Sequence, residues 1–535
     1  MKRTILLGIG LGLWLSAPSS AQAETYEIAA GDDVEAAIAT LQPGDELVLG
    51  GGMYTVTERF TIDLAATEEQ PIVIRAQDGE VPHIHRPNAN ENIVDIVNGQ
   101  WVTLDGIEWS GGSAGIRISS TNNLTISNCD IHDTNDVALR ANDGGALYEN
   151  LHIVGNEIHD TNNTGEGMYL GCNGNGCQVA NSVIERNWVH HTNGPTINQG
   201  DGIELKEGSY GNVIRDNVIH DTNYPCILTY STVGNGEPNV IEGNAMWNCG
   251  DHAIQSAADA VIRNNVIVGA AASGIGMQPH QSGAPANLTV VHNTIVVPGG
   301  RAINVSGPTG AVVIANNAVY SEAGPAIRVA GDNGMITVVG NVGVGGTEGT
   351  SAEGLAVGAL DADFVAANYS GTVPNDVFPA AGALLGAADP AYATPSDFNG
   401  LPSSDPADVG AYAYDAEGNP GWTLQPGFKE FPEDDGGDTD GSGSGGETGD
   451  DSDSAGDATG DDGSADTGGG GGNSGGDSDP GADDGGVSGS GGASSSGADA
   501  GADEGGGGGC RVGGSAPGLG VLLLIGLWTR RRRGA

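Results

Sequence analysis

Asp201-Gly-Ile-Glu204-Leu-Lys206 places two carboxylates and an amine within six residues, and Glu166 holds the place of Asp201 one repeat earlier. Tyr169 lies on the repeat before that of Lys206 and Tyr230 on the repeat after it, and Arg140 lies nearby in the same series. Carboxylates, an amine and phenols brought together are equipped to move protons between a substrate and the protein. A second group of chemical interest is a repeated His-Asp-Thr-Asn pattern. It begins at His132, His159 and His220, with His190-His191-Thr-Asn193 as the variant copy. Stacked histidines beside acids suit transition-metal binding or proton shuttling. A motif that repeats in register serves a scaffold better than a site. His220, which begins the loop beside the turn of Lys206, is the candidate exception.

These residues depend for their positions on a six-residue pattern, apolar–x–x–Asn–x–apolar. Its copies include Ile153-Val-Gly-Asn156-Glu-Ile158, Ile184-Glu-Arg-Asn187-Trp-Val189 and Ile214-Arg-Asp-Asn217-Val-Ile219, and they continue through Asn244, Asn265, Asn293 and Asn317 to Asn341. Earlier copies carry Cys129 and Ile107 in the Asn place. Self-similarity at this spacing marks a solenoid. Each copy supplies two short strands around a bend, and a third strand follows a variable loop, as in Met168-Tyr-Leu170, Ile203-Glu-Leu205 and Ile227-Leu-Thr229. The apolar period is two rather than 3.6, which excludes an α-solenoid. The fold class is therefore all-β, a right-handed parallel β-helix, with the asparagines in left-handed backbone geometry and their amides bonded turn to turn. A short amphipathic helix, Asp33–Leu41, is expected to cap the N-terminal end. Residues 346–431 are expected to cover the C-terminal end.

A solenoid turns sequence into columns, because equivalent residues on successive turns lie about 4.8 Å apart. One outward column of the third strands is expected to read Arg117, Ala138, Tyr169, Glu204, Leu228, Gln255. A second, two residues on, is expected to read Ser119, Arg140, Gly171, Lys206, Tyr230. The acids, Lys206, the tyrosines and Arg140 then converge on one face.

The stretches Pro43-Gly-Asp-Glu-Leu-Val-Leu49, Tyr54 and Pro71-Ile-Val-Ile-Arg-Ala76, followed by Asn-rich turns, are similar to those of family-6 polysaccharide lyases, the chondroitinase-B and alginate-lyase group. Glu204-Leu-Lys206 followed by Asn212-Val-Ile-Arg215-Asp-Asn217 resembles that family's segment bearing a calcium-binding acid and a catalytic lysine. One turn on, where the family carries an arginine, this chain has Tyr230. The resemblance implies an enzyme of the pectate-lyase-like superfamily acting on an acidic polysaccharide as a lyase or epimerase. Calcium would be held by Glu166, Asp201 and Glu204, because it is a hard cation that prefers oxygen ligands. Lys206, its pKa lowered by the metal, would be the base, and Tyr230 or Tyr169 the acid. The alternative from another class is a non-catalytic surface β-helix that binds glycan or another cell.

Composition narrows the partners. The 535 residues contain 19 Lys and Arg against 69 Asp and Glu, a formal charge of −50, which excludes nucleic acid as the expected partner. Lys2-Arg3, the apolar run to Leu15 and Ala21-Gln-Ala23 make residues 1–23 a secretory signal. The β-helix is expected over 24–345. Residues 432–509 are a Gly/Ser/Asp tract with about 20 acids and no base, too polar to bury a core. Residues 510–535 join Cys510, a short apolar run and Arg530–Arg533, and resemble myxobacterial C-terminal sorting signals. An exported monomer is expected, either held at the cell surface or outer membrane through this C-terminal segment or secreted. Export favours disulfides, with Cys172–Cys177 and Cys226–Cys249 as candidate pairs and Cys129 an inert core thiol.

Overall fold

The computed structural model describes residues 23–380 and 382–431. Residues 1–22 of the expected signal 1–23, the acidic tract 432–509 and the sorting segment 510–535 lie outside the described residues. Among those described, no helix is long and apolar enough to cross a membrane.

Three parallel ladders run the length of the solenoid. In one turn they are formed by Val213–Arg215, Val218–Thr222 and Ile227–Thr229. Each strand pairs in register with its counterparts above and below. One inward residue per strand of the first two ladders, and two per strand of the third, build the core. Ile153, Ile184, Ile214 and Ile241 stack in the first ladder, and Ile158, Val189, Ile219 and Met246 in the second. All are essentially inaccessible to solvent. Branched side chains stacked at strand spacing suit this narrow interior.

At the bend between first and second strands the asparagines form an unbroken internal ladder. The Asn187 side-chain amide donates to Asn217 Oδ1 at 2.9 Å, and Asn217 in turn donates to Asn244 Oδ1 at 2.9 Å. The series runs from Asn156 through Asn265, Asn293 and Asn317 to Asn341. The expected left-handed geometry falls one residue earlier. Gly155, Arg186, Asp216, Gly243, Asn264, His292 and Asn316 have positive φ, and the ladder asparagines do not. The tight turn is made by the residue before, which frees the ladder amide to point inward and satisfy buried backbone carbonyls such as Ile184 O at 3.0 Å.

The ends are closed by local structure. Helix Val34–Ile38, capped by Asp33, buries Val34 and Ile38 against the first turns. The ladders begin with Thr25–Ile28, which pairs with Glu46–Leu49 before Ile72–Ala76 joins. At the other end Thr347–Glu348 and Leu355–Val357 add the last rungs. The rest of the capping segment runs back along the outer face of the second ladder. There Phe364, Phe378, Phe398, Tyr412 and Trp422 bury Val218, Ala245, Val266, Val296 and Tyr320. Lys429 anchors it far upstream through Asp216 Oδ1 at 2.7 Å and Gly243 O at 2.8 Å. Disulfides Cys172–Cys177 and Cys226–Cys249 are both formed. Cys129 is free and buried, and burial pushes its thiol pKa up to about 12, so it is inert as a nucleophile.

Candidate functional site

The third-ladder register brings Tyr169 beside Glu204, with Leu228 and Gln255 following. Arg140 pairs with Arg117 on one side and Tyr169 on the other. It therefore belongs to the column expected to contain Ala138 and not to the column of Lys206. Parity survives, because the shift is two residues. Its cause is the start of that turn's strand at Leu139, with Ala138 left in the buried loop, where its N–H donates to Glu166 O. Arg140 thus sits two rungs, about 10 Å, from Glu204. Its guanidinium reaches Asn92 Oδ1 at 3.3 Å and Asp136 at 3.7 Å.

Glu166, Asp201 and Glu204 converge as the columns require. One carboxylate oxygen from each lies within 4.8 Å of the others, and all three residues are buried. Glu166 Oε2, Asp201 Oδ1 and Glu204 Oε2 each lack a hydrogen-bond partner. Burial, and then the repulsion of Glu204, raise the Glu166 pKa to about 7. Burial followed by the charges of Glu204 and Glu166 pushes Asp201 well above the ordinary carboxylate range. Three buried, mutually repelling carboxylates with orphaned oxygens form an all-oxygen donor set that fits a hard divalent cation.

Lys206 closes one side of this group. Its ammonium bonds Glu204 Oε1, lies 3.3 Å from the Tyr230 hydroxyl, and sits over the Tyr169 and Tyr230 rings at 4.6 and 5.0 Å. Tyr230 donates to Glu204 Oε1 at 2.9 Å. Burial works against the Lys206 charge, but Glu204 and Tyr169 outweigh it and its pKa is raised. The lowering expected for a base is therefore not supplied by the protein alone. Lys206 is only 5 % exposed, and His280, on the segment Met277–Gly283, stacks on Tyr230 at 4.9 Å and meets its hydroxyl at 3.2 Å. His280 was not among the sequence candidates. It lies fifty residues from Tyr230, and no repeat signals its position.

His220 is not part of this group. It stands on the outer face of the second ladder, stacked between His190 and Trp247 at 5.4 and 4.5 Å. Trp188 Nε1 donates to its Nε2 at 2.9 Å, which requires a neutral ring protonated on Nδ1 toward Asp221. Burial lowers its pKa to about 4, against the pull of Asp221. An unfolded histidine, with a pKa near 6.5, takes its proton first on acidification. The folding stability tied to neutral His220 is thus complete above pH 6.5 and is lost as the pH falls toward 4, at most about 3 kcal/mol. Denaturant unfolding at pH 7 and pH 4.5 should show this as a smaller loss in His220→Gln, whose amide still accepts from Trp188 but does not titrate. Equal losses in both proteins would rule it out.

Two other basic side chains of the solenoid are held in ion pairs. Arg117 is bound to Asp143, and Arg215 lies in the first ladder at 2.6 Å from Glu185.

Residues 83–197 and 181–319 match the family model described as the right handed beta helix region. No curated protein sequence matches the chain. Among solved structures, pectate lyase Pel9A is 16% identical, covers 74% of this chain and 98% of its own, and superposes with a TM-score of 0.45. Alginate lyase from Paenibacillus sp. str. FPU-7 is 20% identical, covers 63% and 98%, and gives 0.37. The PL6 family alginate lyase AlyGC is 13% identical, covers 72% and 59%, and gives 0.43. These likenesses concern the fold.

Proposed function

We propose that this right-handed parallel β-helix protein is an exported, surface-held enzyme that acts on an acidic polysaccharide, with the group around Lys206 as its active site. The observation that carries the reading is the set of three orphaned carboxylate oxygens, on Glu166, Asp201 and Glu204, beside an amine and two phenols. With all three carboxylates ionised and one ammonium beside them, two negative charges would remain in a buried space. A bound calcium ion would supply charge neutralisation there and a Lewis acid for a substrate carboxylate.

The reaction that fits is elimination across a uronic acid. Removing the proton on the carbon next to the uronate carboxylate places negative charge on that carboxylate, so its neutralisation lowers the barrier. Lys206 would take the proton, and Tyr230 would protonate the oxygen of the departing sugar. The carbon–oxygen bond breaks as the carbon–carbon double bond forms. Returning a proton to the opposite face of the same carbon, in place of elimination, would give an epimerase. Both require Lys206 to shed the proton that Glu204 now stabilises, and neutralising Glu204 removes that hold. Both also require the His280 segment to lift from Tyr230.

The burial of Lys206 favours a second reading, in which the ion pair is structural and the protein binds glycan without changing it. Incubation with alginate, pectate and chondroitin, with and without chelator, separates the two by the ultraviolet absorbance of unsaturated ends. A signal that chelator abolishes and calcium restores is expected. Silence on every uronate, with calcium present and the fold intact, would exclude the lyase, and proton NMR of the recovered polymers would then exclude or reveal epimerisation.

A further inference from the structure

On the outer face of the second ladder, two adjacent columns alternate in a regular way. The first reads His83, Glu108, Asp130, Glu157, Trp188 and the second His85, Ser110, His132, His159, His190. From His132 on, each histidine of the second column reaches diagonally to the acid one turn before it. His159 Nε2 lies 3.2 Å from Asp130, and His190 Nε2 lies 3.1 Å from Glu157. At the N-terminal end this rule breaks. His83 stands in the acid column and Ser110 in the histidine column, so two imidazoles meet one carboxylate.

We propose that His83, Glu108 and His132 form a binding site for a divalent transition-metal ion of the zinc type, separate from the carboxylates around Lys206. His83 Nδ1 lies 3.1 Å from Glu108 Oε1, and His132 Nε2 lies 3.2 Å from the same oxygen. Zinc bonds of about 2.0–2.1 Å in tetrahedral geometry separate adjacent ligand atoms by about 3.3 Å. The two separations from Glu108 thus already match the edge of a coordination tetrahedron, and all three ligand atoms lie within 4.8 Å of one another. Each imidazole is also oriented through its other nitrogen. His83 Nε2 meets Ser110 Oγ at 2.6 Å, and His132 Nδ1 meets Asp133 Oδ2 at 3.0 Å. Such outer partners fix ring tautomer and direction in histidine-ligated metal sites. Ser110 Oγ is itself 2.8 Å from His85 Nδ1, so its hydroxyl can donate there while accepting from His83.

Accessibility agrees. The three side chains are 20 %, 24 % and 15 % exposed, enough for an ion to enter and keep one water as its fourth ligand. His159 and His190 have acids but no second imidazole on the same carboxylate oxygen, which distinguishes the end of the file from its middle. The three ligands come from strands Pro82–Arg86, Glu108–Gly111 and Asp130–His132, so one ion would staple three successive turns.

The test is a titration of the purified, metal-stripped protein with Co²⁺ and Zn²⁺, in millimolar Ca²⁺ to fill oxygen-only sites. One equivalent of Co²⁺ should develop the visible absorption of a low-coordinate nitrogen–oxygen site, be displaced by Zn²⁺, and raise the melting temperature. Glu108→Gln and His83→Ala should each weaken binding at least ~100-fold, and Asp133→Asn about 10–100-fold. His159→Ala and Glu204→Gln should leave it unchanged. Absence of the Co²⁺ band in the parent protein overturns the proposal. So does binding undiminished in Glu108→Gln, the near-isosteric variant, should His83→Ala fail to fold.

Discussion

Asn217→Ala should destabilise the protein by about 3–6 kcal/mol, among the largest losses any single substitution of this chain can produce. The residue is inaccessible to solvent and its side chain makes four hydrogen bonds. Its Oδ1 accepts from the Asn187 backbone N–H at 3.0 Å and from the Asn187 amide at 2.9 Å. Its Nδ2 donates to Ile184 O at 3.0 Å and to Asn244 Oδ1 at 2.9 Å. Truncation strands the Asn187 N–H where no water reaches and takes one donor from the Ile184 carbonyl. Each orphaned buried group costs about 1–3 kcal/mol, and lost packing adds to this. Asn217→Asp supplies a sharper check. At neutral pH the new carboxylate would face Ile184 O and Asn244 Oδ1, two acceptors, and should destabilise at least as much. On acidification the protonated carboxyl can donate to one of them, so the penalty should shrink relative to the parent. Denaturant midpoints of the three proteins at pH 7 and pH 4.5 measure both effects. An Asn217→Ala loss below about 1 kcal/mol would mean that the ladder is ornamental to stability.

The same ladder explains how much of the fold was readable from sequence. Period-two apolar residues around a recurring asparagine leave few architectures, and the inward residues Ile184, Ile214 and Ile241 follow directly from them. The left-handed residue was misplaced because asparagine tolerates that geometry, whereas here the preceding position takes it even as Arg186 or His292. The two-residue slip at Arg140 arose where Val137 and Leu139 offer equally good inward pairs, so parity alone does not choose between registers. The return path of the C-terminal segment did have a signal. The outward column of the second ladder changes from Glu108, Asp130 and Glu157 to Trp188, Val218, Ala245 and Val266. An outward face that turns apolar needs a cover, and residues 358–431 provide it. In the candidate site, the carboxylates were legible because they occupy equivalent places on neighbouring turns. The packing of His280 on Tyr230 was not, since the segment Met277–Gly283 comes from further along the stack. His83 escaped notice because it interrupts the His-Asp-Thr series instead of belonging to it.

Lys206→Met separates the catalytic from the structural reading because the two predict different patterns across four proteins. Removing the ammonium leaves Glu204, 1 % exposed, with no cation to pair with and beside two further carboxylates. Breaking one side of a buried pair costs about 3–5 kcal/mol, so the single variant should be severely destabilised without divalent cation. Glu204→Gln removes one of the repelling carboxylates and should cost less. The double variant Glu204→Gln/Lys206→Met should recover most of the loss, because no uncompensated charge remains. The sign of the pH effect supports the same picture. Glu166 has a folded pKa near 7, above its unfolded value, so its contribution favours folding at low pH and is lost as the pH rises from about 4.5 to 7. Calcium should offset that loss, and the stabilisation it gives should therefore be larger at pH 7 than at pH 5, and absent in Glu204→Gln/Asp201→Asn. If Lys206 is also the base, Lys206→Met assayed in saturating calcium should lose about 10²–10⁴-fold in kcat while remaining folded. The stability-rescued double variant should be equally inactive. If the pair is purely structural, whatever the protein does with glycan should return in step with stability in the double variant. Stability and turnover moving apart is the outcome that a scaffold role for Lys206 does not produce.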